Sequence, residues 1–243
     1  MNSAENYQLD PKAILTPERF IEYEQSIVGS ERVSSALDLI KHDGLKILDI
    51  GGASGVFLNE LHKNSGRRLE LFNLEVDDTY KSKQINSDIH FCNGSILNNE
   101  FKDDFFDMVT QRHILHHLIG TTLHETMRNQ EKALEEMFRI TKKGGYILVE
   151  EEVNNIKLFS RAVYFLSKVA NKYKIKSKTF DAGTVIVSFM TPAEIDGIVK
   201  KNMPKYGLEA VKRDYVAWDM SLKWKLTLLM SRVGHVSWLL RKV

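Results

Sequence analysis

The chain has 243 residues, 43% of them hydrophobic, and a formal net charge of +2. That apolar fraction excludes a globally disordered chain, and the length suits one large domain or one domain with an inserted subdomain. The start, MNSAENYQLD, is polar and no run approaches the roughly 18 apolar residues of a membrane span; with Cys92 as the single cysteine, an intrachain disulfide is excluded and a cytoplasmic setting is expected.

The elements follow in chain order. Val33, Ala36, Leu37 and Ile40 give residues 31–41 a helical spacing, with Ser30 to cap the start and Gly44 past the end. KILDI (46–50) reads as a buried strand and VFLNELHK (56–63) as the helix after it. LELFNLEV (69–76) and IHFCNG (89–94) are the next two strands. FFDMVTQ (105–111) is a fourth, followed by the helix-like ILHHLI. A long helix is expected over 126–143, with Lys142 and Lys143 at its negative end and Gly144 and Gly145 terminating it. YILVEEEV (146–153) is a fifth strand. TPAE (191–194) is a helix start, with Thr191 as cap, Pro192 in the first turn and Glu194 at the capping-box position; that helix is expected to reach about Asn202. LEAVKRDYVAWD (208–219) and VSWLLRK (236–242) close the list as strands.

Strand–helix alternation of this kind implies a mostly parallel, doubly wound sheet with helices on both faces. Ligands bind such sheets at the carboxyl ends of the strands, where strand order reverses. The stretch DIGGASG (49–55) follows the first strand there. A phosphate loop ending in Gly-Lys-Ser/Thr does not fit, because Val56 follows Gly55. A dinucleotide fingerprint fits poorly, whether begun at Gly51 or Gly52. A third ligand, S-adenosylmethionine, explains Asp49: it carries an ammonium and a sulfonium but no phosphate. A carboxylate beside the loop attracts the ammonium, and loop amides meet the methionine carboxylate. A second acid is then wanted at the end of the second strand for the ribose hydroxyls, and Glu75 stands 24 residues after Gly51.

With these residues in hand, the chain resembles the class I S-adenosylmethionine-dependent methyltransferases, in particular their small-molecule branch. ILDIGGASGVFL resembles the first motif, with Ala53 in place of the middle glycine. FCNGSI resembles the loop after the third strand, with Ser95 where an acid is usual, which weakens the contact to the adenine amino group to a hydroxyl. FFDMVTQRHILHHL, ALEEMFRITKKGGYILVEE and FMTPAEI match later segments, and the resemblance covers 30–152 and 189–242. It implies a Rossmann-like seven-stranded α/β sheet with the last strand antiparallel and a helical lid or insertion. It divides the single domain into an N-terminal cap (1–30), a cofactor core (31–152), a substrate-side insertion (153–190) and a C-terminal part (191–243). It implies cofactor contacts from Asp49, Gly51, Gly52, Ala53, Gly55, Glu75, Val76, Gly94, Ser95, Ile96, Gln111 and Arg112, with S-adenosylhomocysteine as product.

His113 follows the fourth strand directly and is the candidate base; His116 and His117 fit a structural helix beneath the site. Tyr23, in RFIEYEQSIVG, is the second catalytic candidate and belongs to a segment that would fold over the cofactor. The histidines lack paired carboxylates at ligand spacing along the chain, so no metal is expected.

Residues 157–243 carry 17 basic and 6 acidic residues, against 17 and 26 in residues 1–156. Within the basic part, 156–173 puts Leu158, Phe159, Ala162, Val163, Phe165, Leu166, Val169 and Tyr173 on one broad stripe, with Lys157, Arg161, Lys168 and Lys172 between them. A pocket lid, a core helix and a membrane-surface helix all suit that pattern, and residues 220–234 are similar in character. The partner expected is a small-molecule acceptor, with no nucleic acid and with peripheral membrane or anionic contact through 156–178 left open. Two other functions fit the same residues: a protein or peptide methyltransferase, and a non-catalytic S-adenosylmethionine-binding module. A nicotinamide oxidoreductase is disfavoured by the fingerprint.

Overall fold

The computed structural model describes residues 30–175, 186–217 and 233–243. Tyr23, the rest of the expected N-terminal cap before Ser30, residues 176–185 of the expected insertion, the last two residues of the expected strand 208–219, and residues 220–232 of the second basic segment lie outside these. The elements are α1 (Ser30–Leu37), β1 (Lys46–Ile50), α2 (Val56–Ser65), β2 (Glu70–Glu75), β3 (Ile89–Asn93), β4 (Phe106–Arg112), α3 (Leu123–Ile140), β5 (Thr141–Asn154), α4 (Lys157–Lys172), α5 (Pro192–Tyr206), β6 (Leu208–Ala217) and β7 (Val233–Lys242). Seven strands form one sheet in the order β3-β2-β1-β4-β5-β7-β6. β1 to β5 pair in parallel; β7 runs antiparallel to both β5 and β6. This is the Rossmann-like α/β sheet the sequence implies. Strand order reverses between β1 and β4, so the carboxyl ends of these two strands flank the crevice where ligands bind this architecture.

Two apolar clusters cover the two faces. One joins α1 and α2 to Ile47, Leu71, Ile89 and Met108. The other joins α3 and α5 to Leu48, Val109, Val149, Val236 and Leu240. Burial of these faces is the main stabilising term. Strict strand–helix alternation does not hold: a 3₁₀ turn, Asp78–Lys83, links β2 to β3, and residues 94–105 reach β4 through turns and a Ser95–Asn98 bridge. The expected helix at ILHHLI is a single 3₁₀ turn, Leu115–His117.

The long helix sits three residues earlier than its sequence pattern suggests. Thr122 caps it by accepting from the Glu125 amide, an N-terminal signal stronger than the apolar stripe alone. At the other end Thr141 turns extended, with its hydroxyl donating to Met137 O at 2.7 Å. Lys142, Lys143, Gly144 and Gly145 therefore belong to β5. Gly144, at φ +80°, lies opposite a register shift between Phe106 and Met108. The positive charge at the helix's negative end comes from across the chain. Lys242 Nζ, on β7, donates to the carbonyls of Phe138, Arg139 and Thr141 at 2.9, 3.3 and 2.8 Å and pairs with Asp104. α5 starts on the full capping box at Thr191 and Glu194 and runs past Asn202 to Tyr206, with Gly207 left-handed after it.

α4 corrects the reading of the basic stripe. Its buried residues are Ser160, Tyr164, Ser167 and Ala170, a narrow face at helical spacing. The Ser160 hydroxyl donates to Phe189 O, while the Ser167 hydroxyl donates to Tyr164 O at 2.9 Å within the helix and accepts from the Val187 amide at 3.3 Å. Leu158, Phe165, Leu166, Val169 and Tyr173 are instead between 47% and 73% exposed. The inward face buries Tyr164 and lets the two serines satisfy the Phe189 carbonyl and the Val187 amide.

Candidate functional site

A row of polar side chains crosses the three central strands at the switch point. Asp49 on β1 is in register with Asn73 on β2 and Thr110 on β4, and all three are fully buried. Thr110 Oγ1 donates to Asp49 Oδ1 at 2.7 Å. Arg112 Nη2 lies 3.6 Å from Asp49 Oδ2, beyond a full hydrogen bond, while its guanidinium sits over the Phe57 ring at 4.3 Å. Burial pushes the Asp49 carboxyl above its usual range, against the charge of Arg112 and the Thr110 hydrogen bond. Among the described residues, neither Asp49 Oδ2 nor Asn73 Oδ1 accepts a hydrogen bond. Both point at the backbone of Gly52: a Cβ there would lie 2.8 Å from the first and 2.7 Å from the second.

The loop over this row is tied down at Ala53. Its amide donates to Glu75 Oε2 at 3.2 Å, and its carbonyl accepts from Asn73 Nδ2 and Gln84 Nε2, both at 2.8 Å. Ala53 has φ +42° and Gly51 φ +68°. A side chain at Gly51 would also meet Ile114 Cγ2 at 2.3 Å. Left-handed backbone costs an L-residue about 1–2 kcal/mol, and alanine relieves less of it than glycine. Ala53→Gly is therefore expected to stabilise the fold by roughly 0.5–1 kcal/mol after the entropy cost of glycine. Urea unfolding checks this; a loss of stability would show that the Ala53 methyl packing outweighs the strain.

Glu75 ends β2 half-committed. Oε1 accepts from the Val76 and Asp77 amides at 2.8 and 3.1 Å, and Oε2 from Ala53. A carboxylate offers about four acceptor positions, so it retains capacity for a ribose hydroxyl. Val76 beside it is 69% exposed. Across from it, Gly94 closes on the Glu75 carbonyl, and Ser95 Oγ accepts from the Leu97 amide at 3.2 Å. Ile96 is buried in the core, and its carbonyl accepts from Asn99 Nδ2 at 2.8 Å. Gly55 is left-handed immediately before α2.

Asp49, Gly51, Gly52, Ala53, Gly55, Glu75 and Arg112 thus gather at the carboxyl ends of β1, β2 and β4, where this architecture has its crevice, while Val76, Gly94 and Ser95 lie just past the ends of β2 and β3. Gln111 turns away from the crevice. Fully buried, it donates to Glu150 O at 3.1 Å and accepts the Ile114 amide, so it braces the turn after β4. His113 follows at φ +59°, its amide bonded to Glu150 O and its Nδ1 4.0 Å from Glu152 Oε1. His116 is buried and engaged within the fold. Its Nδ1 lies 2.6 Å from Glu151 Oε1, its ring stacks on Phe189 at 5.1 Å, and Glu151 also accepts the Leu115 and Glu152 amides.

A family model described as a methyltransferase domain matches residues 41–202, more than half of the chain and all of this crevice. The chain belongs to the class I S-adenosylmethionine-dependent methyltransferases. Within that family it is similar to a ubiquinone/menaquinone biosynthesis C-methyltransferase of Vibrio vulnificus, 27% identical over 139 residues that cover 54% of this chain and 47% of the relative. The chain thus matches about half the length of the curated relatives. Solved structures share the fold. A methyltransferase from Methanosarcina mazei has a TM-score of 0.60 at 15% identity, over 86% of this chain and 97% of that one. The geranyl diphosphate C-methyltransferase of Streptomyces coelicolor, solved with Mg²⁺, geranyl diphosphate and S-adenosyl-L-homocysteine, has 0.58 at 11%, over 88% and 77%.

In this methyltransferase, sequence reasoning missed Asn73 and Gln84, which hold the loop. A buried asparagine in the apolar run LELFNLEV was a visible anomaly. It also missed Glu150 and His235, which the sheet brings to His113; only the β5–β7 register reveals that grouping.

Proposed function

We propose that this chain transfers a methyl group from S-adenosylmethionine to a small organic acceptor at an O, N or C atom. The observation that carries this reading is the pair of carboxylates, Asp49 and Glu75, set around one strained loop at the switch point, with two buried acceptor oxygens aimed at its backbone. When bound, the cofactor supplies an electrophilic methyl on a sulfonium. Asp49 and Arg112 then offer opposite charges to the zwitterionic amino-acid end, the carboxylate to its ammonium and the guanidinium to its carboxylate. Glu75 orients the ribose through its remaining acceptor capacity, Val76 presents an apolar surface to the adenine, and Ser95 offers its hydroxyl to the adenine amino group. Holding acceptor, methyl and sulfur in line contributes up to about 7–11 kcal/mol of barrier reduction. An oxygen or nitrogen acceptor also loses a proton, and His113, beside Glu152, is the residue we assign to receive it.

The exposed face of α4 favours an apolar acceptor drawn from a lipid surface. Leu158, Phe165, Leu166, Val169 and Tyr173 stand outside, among Lys157, Lys168 and Lys172, while Arg161 turns inward to pair with Glu194. The quinone chemistry named for the Vibrio relative agrees with that class of acceptor.

Calorimetry with S-adenosylmethionine, S-adenosylhomocysteine and NAD tests the cofactor. The two sulfur nucleosides are expected to bind and NAD is not; binding of NAD alone would overturn the reading. Turnover is then measured on a panel of small phenols, quinols, amines and peptides, free and in anionic vesicles. Tight cofactor binding with no turnover across the panel would point to a binding module.

A further inference from the structure

We propose that His113, Glu150 and His235 form a binding site for one divalent first-row transition-metal ion. The three residues come from three adjoining parts of the sheet. His113 follows β4, Glu150 lies on β5 and His235 on β7. Each offers one ligand atom, and these atoms lie within 4.8 Å of one another. The two imidazole rings lie with centroids 5.2 Å apart, tilted by 49° to each other.

The strand register explains the convergence. Glu150 opposes Arg112 on β4 and Ser237 on β7, while His235 opposes Glu152. Alternation puts Glu150, Glu152, Ser237 and His235 on one face of the sheet. The left-handed turn at His113 brings the third ligand to that face. His113 Nδ1, Glu150 Oε2 and His235 Nε2 are all shielded from solvent. Glu152, with Oε1 4.0 Å from His113 Nδ1, stands as a neighbouring second carboxylate. The side chains of His113 and Glu152 keep 21% and 27% of their exposure, so the group opens on one side.

Two imidazole nitrogens and one carboxylate suit Mn²⁺, Fe²⁺, Co²⁺ or Zn²⁺ and leave coordination positions open. Mg²⁺ and Ca²⁺ prefer oxygen donors throughout. Metal–ligand distances of about 2.0–2.2 Å at tetrahedral angles put ligand atoms roughly 3.3–3.6 Å apart, so binding needs the side chains to close by up to about 1.5 Å. The consequence for catalysis rests on the methyl-transfer reading; the binding itself does not. With the ion bound, His113 is a ligand and no longer a base. The ion's open side then takes an oxygen of the acceptor and acidifies its hydroxyl, whose proton leaves to water.

The test uses tag-free full-length protein stripped with chelator. Co²⁺, Mn²⁺ and Zn²⁺ are titrated one at a time, with visible absorption reporting Co²⁺ and calorimetry the others. One equivalent is expected to bind, and excess Mg²⁺ is not expected to displace it. His235→Ala and Glu150→Gln are each expected to weaken binding at least tenfold, and Cys92→Ser to leave it unchanged. Electron spin-echo modulation of the Mn²⁺ complex of the unmodified chain reads imidazole nitrogen directly, so a variant that misfolds does not remove the test. No saturable binding of any of the three ions, displacement by Mg²⁺, or no coupled imidazole nitrogen would overturn the proposal. S-adenosylmethionine calorimetry on the metal-free protein is run alongside, so failure of the metal site and failure of the cofactor reading appear separately.

Discussion

Gly52→Ala is expected to weaken S-adenosylmethionine binding by roughly 10- to 100-fold, the worth of a lost charge-assisted hydrogen bond. The added methyl would lie 2.7 Å from Asn73 Oδ1 and 2.8 Å from Asp49 Oδ2. Neither side chain is a loose surface group. Both are buried, Asn73 is held by the Ala53 carbonyl, and Asp49 by Thr110. Relieving the clash must turn the carboxylate and the amide away from the loop together. The same overpacking is expected to cost about 1–3 kcal/mol of stability. Calorimetry and urea unfolding on one sample separate the two effects. An unchanged affinity would remove Asp49 from the cofactor site.

The second large effect is expected at Glu151. Removing one partner of a buried ion pair typically costs about 3–5 kcal/mol, and Glu151→Ala also strips acceptors from the Leu115 and Glu152 amides. Burial alone would lower His116, yet the charge and hydrogen bond of Glu151, helped by Glu152, outweigh it and hold the imidazole above its ordinary value. A base whose folded value is raised adds stability that is fully present below the unfolded value of about 6.5 and is lost as pH rises through the folded value. The unmodified chain is therefore expected to lose stability from neutral into alkaline pH. Glu151→Gln keeps much of the shape and should flatten that dependence. Urea unfolding at several pH values checks both, and an equal alkaline slope in the two proteins would sink the assignment.

Much of this was legible in the sequence. KILDI followed by three small residues marks a strand entering a ligand loop, and the capping box at Thr191 marks a helix start that the fold reproduces. The Asp49–Glu75 spacing placed two acids at adjacent strand ends, where the structure has them. Other features depend on contacts that no local pattern encodes. The stripe on α4 was wide enough to allow several inward faces, and the face taken is the one that buries Tyr164 and meets the Phe189 carbonyl and the Val187 amide, far along the chain. Thr122 moved the start of α3 because one cap outweighs a poorly bounded apolar repeat. Arg112 could not be paired with Asp49 before the β1–β4 register was known. His235 joins His113 only because β7 enters the sheet beside β5.

That placement of β7 also bears on how the chain is made. β6 pairs with no strand other than β7 among those described, and β7 is translated after it. A nascent chain that has emerged through β6 has nowhere to put that strand, and the edge of β5 stands open. The carbonyl end of α3 likewise waits for Lys242. Assembly of this half of the sheet must therefore follow translation of β7 in one late step. Chains arrested before that point should expose an unpaired β5 edge to ribosome-associated chaperones.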